Sequence, residues 1–287
     1  MNILQGTGVA LVTPFHEDLT INYTAFQKLL DFTVKGGVDY LVINGTTGES
    51  ATTTEAENQE MLAFVKKHTG GNIPLVYGMG GNHTRDMLEF MANTDFSGVA
   101  AILSVSPYYN KPSQAGIYQH YVHIADACPV PVILYNVPGR TASNITAETT
   151  LQLAQHPNII GTKEASGNME QCLQILRDKP ADFMLISGDD LLTVSLVAVG
   201  AVGVISVLAN AYPEKFSRLT KLALSNNYKE ATKLLLEFIP LNPLLYEEGN
   251  PVGIKAVLAE MGITESYVRL PLVPASPSLQ GRIQKVI

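Results

Sequence analysis

Residues 191–213 read LLTVSLVAVGAVGVISVLANAYP, 23 positions without a charged side chain. As one helix, a run of that length would span a bilayer. Its interior speaks for something else. Gly200 and Gly203 bracket Ala201 and Val202, and there the pattern changes from helix-like (LLTVSLVAVG) to strand-like (VGVISVLAN). Asp189 and Asp190 flank one end, and no basic anchor follows the other closely. The stretch predicts a buried helix, a tight turn and a buried strand, and no membrane span. The strand matters most, because it is the last of a series.

Seven similar short apolar runs precede it, at residues 9–14, 40–44, 73–78, 100–105, 132–136, 159–163 and 183–188; the eighth covers 203–207. Each is β-branched or apolar throughout, without the alternation of a half-solvated strand, as expected for parallel strands covered on both faces. Between them lie helical patterns at 23–36, 55–68, 114–127, 147–156 and 169–178. Thr54-Glu55-Ala56-Glu57 reads as a capping box, Thr146 as an N-cap, and Gly36-Gly37 and Gly70-Gly71 as helix ends. Eight strands alternating with helices predict an α/β fold of the (β/α)8 TIM-barrel type. Helical patterns continue at 213–226, 228–238 and 251–261, and prolines 271, 274 and 277 mark a surface segment at 270–287 with a short final helix. The expected organisation is a barrel over residues 1–225 and a C-terminal helical extension over 226–287, packed on the barrel.

The 46% hydrophobic and 16% charged composition of the 287 residues suits a chain with a sizeable core and excludes a disordered one. A net charge of −7 argues against nucleic acid and anionic membranes as partners. Cys128 and Cys172 are too few for a disulfide framework, lack metal-ligand spacing, and read as buried fillers. The start MNILQGTGVALVTPF shows no basic region and no small-residue cleavage site. A cytoplasmic, reducing home is the expectation.

In such a barrel, chemistry gathers where strands end at the C-terminal face. Five strand ends are rich in polar residues and glycine: Gly45-Thr46-Thr47-Gly48-Glu49, Pro107-Tyr108-Tyr109-Asn110, Tyr135-Asn136-Val137-Pro138-Gly139-Arg140, Thr162-Lys163-Glu164-Ala165-Ser166 and Ser187-Gly188-Asp189-Asp190. Lys163 closes an apolar run, so its amine would enter the barrel mouth with little water around it. Desolvation there favours the neutral amine, which attacks carbonyls. The alternative is a lysine paired with Glu164. The Thr46–Thr47 turn offers backbone amides and hydroxyls to a carboxylate or phosphate, or is a plain strand-to-helix turn. It is not a Walker loop, because no lysine follows the second glycine. Tyr135 and Tyr109 read as proton shuttles or as mouth-lining side chains. Arg140 is placed to hold a substrate carboxylate, or is an ordinary surface arginine. Gly78-Met79-Gly80-Gly81 lacks the later acidic residue of a dinucleotide site. His120 and His123, three apart with Asp126 nearby, read as a solvated helix face without a third metal ligand.

Assembled, these segments resemble the dihydrodipicolinate synthase family of pyruvate-dependent class I aldolases, whose superfamily includes N-acetylneuraminate lyase. The resemblance runs from about Gly6 to the C-terminal helices. Its carriers are Gly45-Thr46-Thr47-Gly48-Glu49-Ser50, Pro107-Tyr108-Tyr109-Asn110, Tyr135-Asn136-Val137-Pro138-Gly139-Arg140-Thr141 and Gly161-Thr162-Lys163-Glu164-Ala165, in this order, each at a strand end. It implies that Lys163 forms a Schiff base with pyruvate, and that Thr46, Tyr135 and Tyr109 form a proton relay. Thr47 would hold the pyruvate carboxylate, Arg140 the carboxylate of aspartate semialdehyde, and Gly188 and Ile205 would line the site near the lysine. Tyr109 would reach across a dimer interface, and two dimers would make a homotetramer. No metal or organic cofactor is implied, because the lysine itself supplies the electron sink. Arg140, after the Val137-Pro138-Gly139 turn, favours a synthase over a neuraminate lyase; Gly139 stands where serine is frequent. An allosteric lysine pocket is matched at Ser50, Ala51, Asn82, Asp86 and Tyr108, whereas Glu55 and Asn58 depart from the histidines of some members. Both implied substrates are anions, so local positive potential at Arg140 and the Thr46–Thr47 turn has to act against the net charge.

Overall fold

The computed structural model describes residues 3–287. Its strands are β1 (Gly6–Ala10), β2 (Tyr40–Ile43), β3 (Leu75–Gly78), β4 (Ala101–Val105), β5 (Val132–Asn136), β6 (Ile159–Glu164), β7 (Met184–Ser187) and β8 (Gly203–Ser206). They are parallel, run in sequence order and close into a barrel, β8 pairing with β1. The uncharged stretch divides as expected, into a short helix at Thr193–Ala198, a turn and β8. Among the described residues no helix is long and apolar enough to cross a membrane.

The closing seam is built from glycine. Gly6 pairs with Gly203 across it, and a Cβ on Gly203 (φ +153°) would stand 1.9 Å from the Gly6 carbonyl oxygen. Only a residue without a side chain lets the two backbones meet there. The same physics moves the first strand. The apolar pattern places it at residues 9–14, but the ladder occupies Gly6–Ala10. Gly6 and Gly8 look like turn residues in the sequence. In the barrel, the space a Cβ on Gly8 would need is filled by the Tyr40 ring, 2.1 Å away.

Strand alternation sorts the core into two layers. Ala10, Val42, Val76, Leu103, Ile133, Tyr135, Ile186 and Ile205 fill the barrel interior. Val9, Leu41, Ile43, Tyr77, Ile102, Leu134 and Leu185 face outward and pack beneath the helices. The capping box at Thr54 and Glu57 and the Thr146 cap both form. A helix at Thr84–Ala92 starts at His83 without a side-chain cap, which is why no start signal announces it.

Beyond β8, the helix Pro213–Leu224 packs against β1 and β8, and Tyr228–Leu236 packs on that helix. The helix Val252–Glu260 is buried continuously from Val252 to Leu258. It lies against the turn Leu208–Asn210 that follows β8, so the extension folds back toward the C-terminal ends of the strands. The final helix, Pro277–Ile283, differs from the expected surface segment by burying Leu279 and Ile283.

Candidate active site

At the ends of β5 and β6 successive side chains point to opposite faces. Tyr135 and Lys163 are paired in register, and Lys163 pairs on its other side with Ile186. Tyr135 and Ile186 belong to the interior cluster, and the Lys163 Nζ lies 4.3 Å from the centre of the Tyr135 ring. Lys163 is buried and forms no ion pair among the described residues. A Cβ on Gly188 would stand 3.1 Å from its Cε, so the glycine provides the room the lysine stem occupies. Ile205 joins the same interior lining.

Glu164 is not the partner of Lys163. Facing outward, its carboxylate accepts hydrogen bonds from Asn136 Nδ2 (3.0 Å), Gln171 Nε2 (2.9 Å) and the Ser166 amide (2.8 Å). Asn136 also donates to Asn144 and accepts from the Ile145 amide at 2.9 Å. This network ties the C-terminal ends of β5 and β6 together behind the two inward residues. Period-two alternation alone marks Asn136 and Glu164 as outward-facing, but nothing in the sequence names Asn144 and Gln171 as their partners.

The turn after β2 is a 3-10 segment, Thr46–Gly48. The Gly48 amide donates to Gly45 and the Glu49 amide to Thr46, both at 3.0 Å. Among the described residues, the Thr46 and Thr47 amides donate to no backbone carbonyl. Glu49 sits in the left-handed region at φ +59°, a conformation costing about 1 kcal/mol for a residue with a side chain. Its carboxylate is held by Lys255 Nζ at 2.5 Å and by the Arg269 amide at 2.9 Å. Burial lowers Lys255 to about 8, with the Glu49 carboxylate pulling the other way. Asn250 Nδ2 donates to Thr47 Oγ1 at 3.0 Å. These three extension residues carry no sequence signal of their own, since they join the turn only through contacts 203 to 220 positions apart.

One cavity of about 560 Å³ brings together Thr46, Tyr135 and Arg140. Arg140 rides on a single helical turn, Pro138–Thr141, and its guanidinium is exposed and in no ion pair among the described residues. Ser50, Ala51, Glu55, Asn58, Asn82, Asp86 and Tyr108 line the same cavity. Asn82 secures Tyr108 by two bonds to its backbone, 2.6 and 2.8 Å. Tyr109 does not line this cavity. It is 87% exposed, in the left-handed region at φ +69°, so one chain alone leaves the expected relay a hydroxyl short.

His120 corrects the expectation of a solvated pair. It lies on the buried face of its helix with Ile117, Tyr121 and Ile124, its Nδ1 is 2.9 Å from Thr84 Oγ1, and burial lowers it to about 4. His123 remains exposed. Cys128 and Cys172 are buried free thiols, Cys172 pushed up to about 12 by burial. Among the described residues no three His, Cys, Asp or Glu side chains cluster as metal ligands would.

Comparison with known proteins places these features. Residues 3–287 match the profile of the Dihydrodipicolinate synthetase family. The 4-hydroxy-tetrahydrodipicolinate synthase of Cytophaga hutchinsonii is 51% identical over 285 residues, 99% of this chain and 96% of that one. The crystal structure of dihydrodipicolinate synthase from Aquifex aeolicus superposes with a TM-score of 0.95 at 36% identity, covering 99% of this chain and 97% of its own. A solved structure described as a monomeric dihydrodipicolinate synthase variant does so with a TM-score of 0.95 at 35% identity, covering 99% and 96%. A closed eight-stranded barrel with a buried lysine on β6, matched from end to end by these relatives, makes the chain a member of the dihydrodipicolinate synthetase family.

Proposed function

We propose that the chain condenses pyruvate with L-aspartate 4-semialdehyde to 4-hydroxy-tetrahydrodipicolinate, as a lyase of the class I aldolase type serving diaminopimelate and lysine biosynthesis. The observation that carries this reading is Lys163: an inward-facing, buried amine in no ion pair among the described residues, packed on the ring of Tyr135, which lines one cavity with Thr46 and Arg140.

The Lys163 amine attacks C2 of pyruvate, and loss of water leaves an iminium. Removal of a methyl proton gives the enamine, whose carbon bonds to the aldehyde carbon of the second substrate. The amino group of that substrate then attacks C2, closes the ring and expels Lys163 unchanged. Tyr135, against the lysine, moves protons at the addition and dehydration steps, and Thr46 continues the relay. Thr47 and the free amides of its turn hold the pyruvate carboxylate, and Gly188 and Ile205 shape the wall near the lysine. Arg140 binds the carboxylate of the semialdehyde. The relay's third hydroxyl comes from Tyr109 of a second copy, which fits its exposed position at a loop tip; the working unit is then a dimer, and two dimers form a homotetramer. The enzyme works in the cytoplasm.

Incubation with pyruvate, reduction with borohydride and weighing of the protein tests the central step: an adduct on Lys163 is expected, and its absence refutes the mechanism. An Arg140→Ala variant should still trap pyruvate but lose turnover with the semialdehyde by about 100-fold, the scale of a charge-assisted pair. Unchanged turnover would point to another aldehyde.

A second set of residues lining the cavity supports a regulatory site for lysine. Glu55 and Asp86 offer carboxylates to its ammonium groups, and Asn58 and Asn82 offer amides, beside Ser50, Ala51 and Tyr108. Added lysine should lower the initial rate at fixed substrate, and a flat titration removes this part of the reading.

A further inference from the structure

The Thr46–Glu49 turn is held from outside the barrel. Glu49 and Lys255 are both buried, and a buried ion pair of this kind adds little net stability over an apolar pair of the same shape. What it does provide is position. Lys255 Nζ also donates to the Tyr267 carbonyl at 2.7 Å and lies 4.2 Å over the Phe15 ring. The Arg269 guanidinium covers the same ring at 4.5 Å and bonds the Thr52 carbonyl and the Glu57 carboxylate, both at 2.9 Å. The C-terminal segment thus grips the turn at Glu49 and the chain that follows it at Thr52 and Glu57. Glu49 immediately follows the 3-10 segment, whose Thr46 and Thr47 amides donate to no backbone carbonyl among the described residues.

Asn250 adds direction. A threonine hydroxyl has one proton to give. Because Asn250 donates to Thr47 Oγ1, one lone pair of the hydroxyl is occupied there and its proton is left to point elsewhere. Asn250 itself is buried, so water does not compete for this bond.

We propose that Asn250, with the Glu49–Lys255–Arg269 cluster, positions the Thr47 hydroxyl and the amides of its turn as donors to the carboxylate of the 2-oxo acid. Binding of the first substrate is completed by a part of the chain beyond the eight strands. The proposal rests on the pyruvate reading above, and it concerns affinity for the 2-oxo acid alone. None of these extension side chains touches the reacting atoms.

Asn250→Asp gives the test, being nearly isosteric. It removes the donor, invites the Thr47 proton to turn back toward the new carboxylate, and sets a negative charge behind the turn. The half-saturating pyruvate concentration, read both in steady-state rates and in borohydride trapping, should rise on the order of 100-fold. The rate at saturating pyruvate should stay within about threefold, and KM for the semialdehyde should not change. Asn250→Ala, which only deletes the donor, should show about a tenfold rise, and it carries the test if the aspartate variant fails to fold. In a Thr47→Val background, Asn250→Ala should have no further effect on pyruvate half-saturation. Wild-type half-saturation in the variants, or a rise that persists in the Thr47→Val background, overturns the proposal. A wild-type protein that traps no pyruvate refutes the underlying reading instead, so the two failures are distinct.

Discussion

Replacing Lys163 by alanine should lower turnover on the order of 10³–10⁴-fold and abolish borohydride trapping of pyruvate. The lost group is the nucleophile, so binding alone cannot compensate. The neighbours that its strand register and packing give Lys163, the Tyr135 ring, Ile186 and Gly188, carry no second amine. Lys163→Arg should be as inactive as the alanine variant, since a guanidinium stays protonated and forms no imine. Stability should change little, because Lys163 makes no ion pair among the described residues and the outer network around Glu164 stays intact. Initial rates with both substrates, together with the mass of the reduced protein, check this. Turnover above about a tenth of wild type in either variant would contradict a covalent role for this amine.

The second large effect is on folding. Lys255→Met should cost about 3–5 kcal/mol, because it leaves the buried Glu49 carboxylate without its cation. The methionine fills nearly the same space over Phe15, so lost packing explains little of that cost. The paired change Glu49→Gln with Lys255→Met should recover most of the stability. Glutamine at 49 still offers an oxygen to the Arg269 amide, and no uncompensated charge is left in a dry site; the glutamine amide and the Tyr267 carbonyl, each short of a partner, keep the recovery from being complete. Urea unfolding of the single and double variants measures the difference. A loss below about 1 kcal/mol in the single variant would mean that water reaches the pair.

Several of these contacts have no trace in local sequence. The strand-end motifs were legible because chemistry in a barrel collects at one face, and because alternation assigns inward and outward positions once a strand is recognised. The sequence left Lys163 paired with Glu164 as an open alternative, and the strand register separated Lys163 and Tyr135 from Glu164 and Asn136 by parity. The first strand was displaced because glycine has two meanings. In a turn it supplies conformational freedom, and at the β1–β8 seam it supplies absence of volume; only the neighbouring strand distinguishes them. His120 was misjudged because its helix carries polar residues on both faces, so burial had to be decided by packing against the helix at Thr84–Ala92.

By itself, the sequence determined the eight-strand alternation and the resolution of the uncharged stretch into helix, turn and β8, through hydrophobic period, caps and turn residues. It offered the strand-end lysine, tyrosine, threonine and arginine as candidates, whose roles came only from the family resemblance. Only the tertiary structure decided what holds them. Asn250, Lys255 and Arg269 lie more than 200 positions from the turn they grip. Their meaning comes from burial, which makes one unpaired charge or one misdirected hydroxyl costly, and burial is a property of the folded chain that no local window contains.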